Sequence, residues 1–170
     1  MDDSRLEFSA MIGEARERVA DASARVGDRF TRRLHQTPDE KLARLMRSRA
    51  RRAILEGIFW QMPRYLDRER AGGVNAAVLW RIAGRPNGQT DDFRLTIAHG
   101  RARVARRSGG ERPVVTMTID AVDFLRLISG SLDPMNAYFA GKIELAGDIM
   151  FAAKMGGLFR MPTVRPDPLA

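Results

Sequence analysis

The sequence predicts an α+β fold, with a five-stranded, mostly antiparallel sheet covered by helices and preceded by an N-terminal helical extension. Three observations carry this. Apolar residues recur at steps of three and four up to about Met62, then at every second residue from Gly72-Gly73 onward. That is a change from helical to strand periodicity. Turn-forming residues punctuate the second region, and from Asp120 the pattern returns to short helices led by aspartates.

The first helix can be capped by Asp3 or Ser4, whose side chains accept from otherwise unpartnered backbone N–H groups. Phe8, Met11, Ile12, Ala15, Val19, Ala22, Val26, Phe30 and Leu34 then mark one buried stripe. Thr37-Pro38-Asp39-Glu40 restarts the chain, with Thr37 as N-cap, Pro38 at the first helical position and Glu40 closing a capping box. Leu42, Leu45, Met46, Ala50, Ala53, Ile54, Ile58 and Phe59 continue a helical stripe to about Met62. Pro63 perturbs that helix or marks a second one through residues 65–67.

Val74, Ala76, Val78, Trp80 and Ile82 alternate as a strand, and Arg85-Pro86-Asn87-Gly88 reads as a turn. Phe93, Leu95 and Ile97 mark a second strand. His99-Gly100 turns into a third at residues 101–105. After Ser108-Gly109-Gly110, residues 114–119 form a β-branched fourth. The four together read as an antiparallel meander. Asp120 caps a helix carrying Phe124, Leu125, Leu127 and Ile128. Asp133-Pro134 starts a short one with Met135, Tyr138 and Phe139. Gly141 ends it, residues 142–145 make a fifth strand, and Gly147-Asp148 opens a last helix. Pro162, Pro166 and Pro168 give an extended tail.

Composition narrows the function classes. At 170 residues, 44% hydrophobic and 29% charged, the chain can bury one core and does not read as disordered. It has no Cys, which excludes disulfide and thiolate chemistry. With only His35 and His99, a metal site would need several carboxylates. The net charge of +8, nearly all of it arginine, draws the protein to phosphates of nucleic acid or of lipid headgroups without choosing between them. No apolar run approaches the ~20 residues of a membrane span. The acidic start Met1-Asp2-Asp3-Ser4 is unlike a secretory signal, so the cytoplasm is the expected location.

Catalytic constellations are weak. Asp67, Glu69 and the Asp91-Asp92 pair show no acid/base spacing. Gly72-Gly73 and Gly109-Gly110 lack the Lys-Ser/Thr of a phosphate loop, and no nucleophile elbow accompanies His99. Arg101, Arg103, Arg106 and Arg107 could meet nucleic acid, but aromatics are not interleaved among them as base stacking requires, so no nucleic-acid partner is expected. Lys41, Arg44, Arg47, Arg49, Arg51 and Arg52 form a run without an acidic partner. It reads either as a helix lying on anionic lipid or as a solvated helix packed on its neighbour.

Residues 124–158 resemble the C-terminal half of sterol carrier protein type 2 domains. The matching features are Asp123-Phe124, Gly130, Asp133-Pro134, Tyr138-Phe139, Gly141-Lys142, the apolar strand at residues 143–145 and Gly147-Asp148. With the preceding strands, the resemblance covers roughly residues 53–160. It implies a twisted five-stranded sheet whose helices enclose an apolar tunnel. It implies non-catalytic binding of a sterol, fatty acid, fatty acyl-CoA or phospholipid, with transfer between membranes in some relatives, and no cofactor. The corresponding organisation is a helical extension at 1–52, a lipid-binding domain at 53–160 and a tail at 161–170.

An apolar ligand binds by leaving water, at about 0.8 kcal/mol per methylene, and needs no acid, base or nucleophile. The candidate lining residues are Ile58, Phe59, Phe93, Leu95, Ile97, Phe124, Leu127, Ile128, Phe139, Met150, Phe151 and Met155, all of which also suit an ordinary core. The last helix is the candidate lid, with Gly156-Gly157 as its hinge. Lys142, Lys154, Arg44, Arg47 and Arg51 are candidates for contact with a headgroup or an anionic membrane. Residues 4–34 suit a homodimer or a partner protein. The competing reading is therefore an accessory protein that presents a hydrophobic intermediate, such as a quinone precursor, to enzymes.

Overall fold

Alternation at Val78, Trp80 and Ile82 gives the central strand one wholly apolar face, and the rest of the fold is arranged to keep that face dry. The computed structural model describes residues 27, 29–106 and 109–160. The expected caps Asp3 and Ser4, the stripe from Phe8 to Val26, Arg107 and the tail at 161–170 lie outside the described residues.

The strands are β1 (Ala76–Ala83), β2 (Asp91–Ala98), β3 (Arg101–Ala105), β4 (Val115–Asp120) and β5 (Ile143–Gly147). They form one sheet in the order β3-β2-β1-β4-β5. β1–β2, β2–β3 and β4–β5 pair antiparallel, whereas β1 and β4 pair parallel. The expected continuous meander therefore stops at β3. The chain leaves β3 at one edge, crosses the outer face and enters beside β1. Val114 N donates to the Ala77 carbonyl at 2.8 Å, and Arg94, on the outer face, donates to the Glu111 carbonyl. Alternation tells which way a side chain points but not which strand lies alongside, and so could not reveal this pairing.

Register collects the inner face. Trp80 stands opposite Phe93 and Met117, Val78 opposite Leu95 and Val115, and Ile82 opposite Asp91 and Ile119. Met117 and Ile119 continue to Leu145 and Ile143 on β5. At the end of β5, Gly147 has φ +109°, and a Cβ there would collide with the Val114 carbonyl. Glycine is required for β5 to close against the start of β4.

The helices are α1 (residues 29–36), α2 (Asp39–Arg47), α3 (Ala50–Gln61), α4 (Ala121–Ile128), α5 (Pro134–Phe139) and α6 (Ile149–Met155), with 3₁₀ turns at Met62–Tyr65 and Gly156–Leu158. Asp120, Asp133 and Asp148 cap α4, α5 and α6 by accepting from the backbone N–H groups of Val122, Asn136 and Phe151. The expected cap at Thr37 is not made. Its hydroxyl donates back to the Arg33 carbonyl at 2.6 Å and so closes α1, while Arg126 of α4 donates to the carbonyls of Leu34 and Thr37 and to Asp39. The single stripe expected from Leu42 to Met62 is two helices. Ser48 breaks it, donating to the Leu45 carbonyl and accepting from Ala50 N. The break turns Arg51 inward.

Arg51 is the main departure from expectation. It is 5% exposed, with Nε donating to Asp91 at 2.9 Å and Nη2 to the carbonyls of Ile82 and Ala83. Asp91 also accepts from Arg85, and Arg106 stands 3.6 Å away. The basic run therefore has acidic partners, since Arg52 likewise pairs with Glu56. Burial by itself would push the Asp91 carboxyl up, but the hydrogen bonds from Arg85 and Arg51 outweigh it and hold the group below its ordinary value of 3.8. The boundary expected between residues 52 and 53 falls inside α3, which this ion pair fastens to the sheet.

Candidate functional site

Helices α3 and α4 pack Phe59 and Phe124 on the inner face of the sheet. Phe59 stacks on Phe93 with centroids 4.1 Å apart and on Phe124 at 5.2 Å. Trp80 meets Phe59 and Phe124 edge-on at 6.1 and 5.6 Å. Such pairs add roughly 0.5–1.5 kcal/mol each beyond the area they bury. Leu95, Ile97, Leu55, Met117 and Met155 join the same cluster.

The candidate lining residues divide into three groups. Phe59, Phe93, Leu95, Ile97 and Phe124 are fully buried and brought together, with Met155 of α6 beside them. Ile58, Leu127, Ile128 and Phe151 are half-buried against that cluster. Phe139 and Met150 point to water instead, at 77% and 68% exposure. Helix geometry explains the third group. The buried residue of α5 is Ala137, and two positions further on lies about 200° around the helix; the buried residue of α6 is Met155, and Met150 stands about 220° from it. Met135 and Ile149 are exposed as well. Burying a side chain of this size is worth about 1.5–3 kcal/mol, which is unspent here.

Of the headgroup candidates, Lys142 reaches Asp123 at 3.0 Å, Lys154 is exposed on α6, and Arg44 and Arg47 are exposed on α2. Arg51 is withdrawn from that set, because its guanidinium is consumed inside the protein by Asp91 and backbone carbonyls. Of the carboxylates weighed for catalysis, Asp67 and Asp91 are engaged in structural contacts. Asp67 accepts from the backbone N–H groups of Arg70 and Glu69 and from Arg160. The Arg70 N–H foremost holds its carboxyl below 3.8. Around it the chain end is tied back, with Asp67 N donating to the Leu158 carbonyl and Arg160 N to that of Tyr65. α6 is thus secured on both sides, by its Asp148 cap and by this clasp, and Gly156-Gly157 sits within the 3₁₀ turn between.

Trp80 was not among the candidates. It is 5% exposed, and its Nε1 is buried with no hydrogen-bond partner among the described residues. A buried donor left unmade costs about 1–3 kcal/mol. Its inward position is readable from the alternation with Val78 and Ile82; the missing acceptor is not, since that depends on neighbours remote in sequence such as Met117 and Phe124.

Among the described residues no helix is long and apolar enough to cross a membrane, and no group of three His, Cys, Asp or Glu side chains could hold a metal ion.

Comparison with known proteins agrees with this architecture. The chain is similar to sterol carrier protein 2 of Gallus gallus, at 29% identity over 94 residues, covering 55% of this chain and 16% of the relative. It is 28% identical over 71 residues to peroxisomal multifunctional enzyme A of Dictyostelium discoideum, covering 42% of this chain and again 16% of the relative. The chain therefore spans about a sixth of the length of these curated relatives. The solution structure of the sterol carrier protein domain 2 of Helicoverpa armigera superposes with a TM-score of 0.54 at 29% identity, covering 67% of this chain and 89% of that one. The sec-alkylsulfatase Pisa1 from Pseudomonas sp. gives 0.55 at 20% identity, covering 66% of this chain and 17% of that one, a likeness of fold alone. The description of the SCP-2 sterol transfer family matches residues 59–160, from the stacked Phe59 to the clasp at Arg160, and the chain belongs to that family.

Proposed function

We propose that this protein is a non-catalytic container for one apolar lipid, held against the inner face of the sheet where the short helices α5 and α6 cover it. The observation that carries the reading is the contrast between that face, apolar along β1, β2 and β4, and the short helices α5 and α6 beside it, which leave Met135, Phe139, Ile149 and Met150 in water. A protein that takes cargo in and lets it go needs a dry platform and a cover that is only partly committed. The half-buried Ile58, Leu127, Ile128 and Phe151 are the residues that would line the cargo where cover meets platform. Lys154 and Lys142 stand on and beside the cover, where they would face anionic headgroups during loading. No step in this function asks for a proton donor or a nucleophile, because desolvation supplies the affinity.

The test is native mass spectrometry of the full chain after gentle purification. The expected result is a one-to-one adduct with the mass of a lipid, displaced by excess fluorescent fatty acid or sterol. A ligand-free protein that binds neither probe would end the container reading.

The longer relatives favour a second reading, in which the cargo is presented to a partner enzyme through residues 4–34. The full chain and one beginning at residue 27 should then differ in self-association or partner capture by light scattering, while taking up the same lipid probe.

A further inference from the structure

We infer that the indole N–H of Trp80 is the hydrogen-bond donor to an uncharged oxygen of the bound molecule, so that the cargo is an apolar compound with a buried carbonyl or hydroxyl group. The inference deepens the container reading and rests on it.

Trp80 lies at the middle of the inner face, on the central strand, at 5% exposure. Its register partners are Phe93 and Met117, and its ring neighbours are Phe59 and Phe124. None of the four carries a strong acceptor. The carbonyls of β1 are committed to ladders on both sides, to β2 and to β4. Nε1 accordingly has no partner among the described residues. Buried polar groups in folded proteins nearly always find one, and a phenylalanine here would have been free of the problem.

Three occupants could complete the bond, and the surroundings separate them. A lone water needs two to four polar partners, and the ring of aromatic and thioether side chains offers it a single donor. A carboxylate would bring a charge next to Phe59, Phe93, Phe124 and Met117. Arg51 and Arg85, which meet Asp91 opposite Ile82, are already engaged by that carboxylate. An uncharged ketone, ester, quinone or alcohol oxygen matches one N–H donor in an apolar wall without adding charge. The cargo would then sit with its oxygen inward against β1 and its hydrocarbon toward α6.

The chain's second tryptophan makes the test clean. Trp60 is 53% exposed on α3 and takes no part in the cluster, so Trp60→Phe leaves Trp80 as the sole indole. In that full-length variant, hexadecane, 2-hexadecanone and palmitate would be titrated while the ¹⁵N-labelled indole N–H resonance and the Trp80 emission are followed. The ketone is expected to bind about tenfold more tightly than the alkane, and more tightly than palmitate at neutral pH, and to move the indole proton downfield. Adding Trp80→Phe should bring the ketone-to-alkane ratio to about one while alkane binding persists. Should that double variant fail to fold, the resonance of Trp80 itself still decides.

Equal affinity for ketone and alkane overturns the inference and leaves the container standing. So does an indole proton already shifted upfield by a phenylalanine ring and unmoved by bound ketone, or a preference for palmitate. Failure of all three probes to bind removes the container reading itself, and the inference with it.

Discussion

The two ends of the molecule are built to different standards. Around α2, α3, β1 and β2, Leu42, Met46, Leu55, Phe59 and Phe93 are buried to 2% exposure or less, and a buried arginine–aspartate pair fastens helix to sheet. Around β5, α5 and α6, the buried apolar residues of those elements are Ala137, Ile143 and Met155, while Phe139 and Met150 lie in water. Both ends share one sheet and one inner face. The difference is in how many apolar side chains each helix commits. Sparse burial lowers the free energy of local opening, so on the proposed container reading exchange of cargo would fall to the second end.

The largest effect should come from the middle of the packed end. Phe59→Ala removes a ring that stacks on two others and leaves a cavity, costing about 3–5 kcal/mol in urea unfolding. A loss under about 1 kcal/mol would mean this end is no better packed than the other. Arg51→Ala leaves Asp91 buried with a weaker set of partners and should cost about 3 kcal/mol. Lys142→Ala, which breaks the half-exposed pair with Asp123, should cost only about 0.2–1 kcal/mol. That ratio is the comparison in numerical form.

Acid sharpens it further. Asp91 titrates below 3.8 in the folded state, so its contribution is complete above about pH 3.8 and is lost as the pH falls through the folded value. Asp91→Asn should flatten the fall in stability below about pH 4, with Asp67 supplying part of the remaining slope. The smallest change in stability belongs to the other end. Phe139→Ser with Met150→Ser should move the unfolding free energy by no more than about 0.5 kcal/mol, yet slow lipid transfer between anionic vesicles severalfold.

What could be read in advance divides by range along the chain. The helix starts were legible residue by residue. Asp120, Asp133 and Asp148 cap the helices they precede, and each cap is a local event between a side chain and an N–H two or three residues on. The packed end depends on contacts remote in sequence. Arg51 reads from sequence as a headgroup or membrane contact because its partner lies forty residues away and its inward turn depends on the Ser48 break. The parallel pairing of β1 with β4 has no local signature, and neither has the bare indole of Trp80. Of the candidate lining residues, those on strands were placed inward by alternation. Phe139 and Met150 failed because short helices offer too few turns to set a phase.

The crossing from β3 to β4 also sets an order of assembly. A nascent chain that has emerged as far as Ala105 holds β1, β2 and β3, but Trp80 still lacks Met117 on one flank and Phe124 above it. Hairpin formation alone cannot finish the sheet, since its central strand waits for a neighbour encoded after the crossing. Only β4 and α4 supply Met117 and Phe124, so completion of the inner face around Trp80 waits on residues encoded after the crossing.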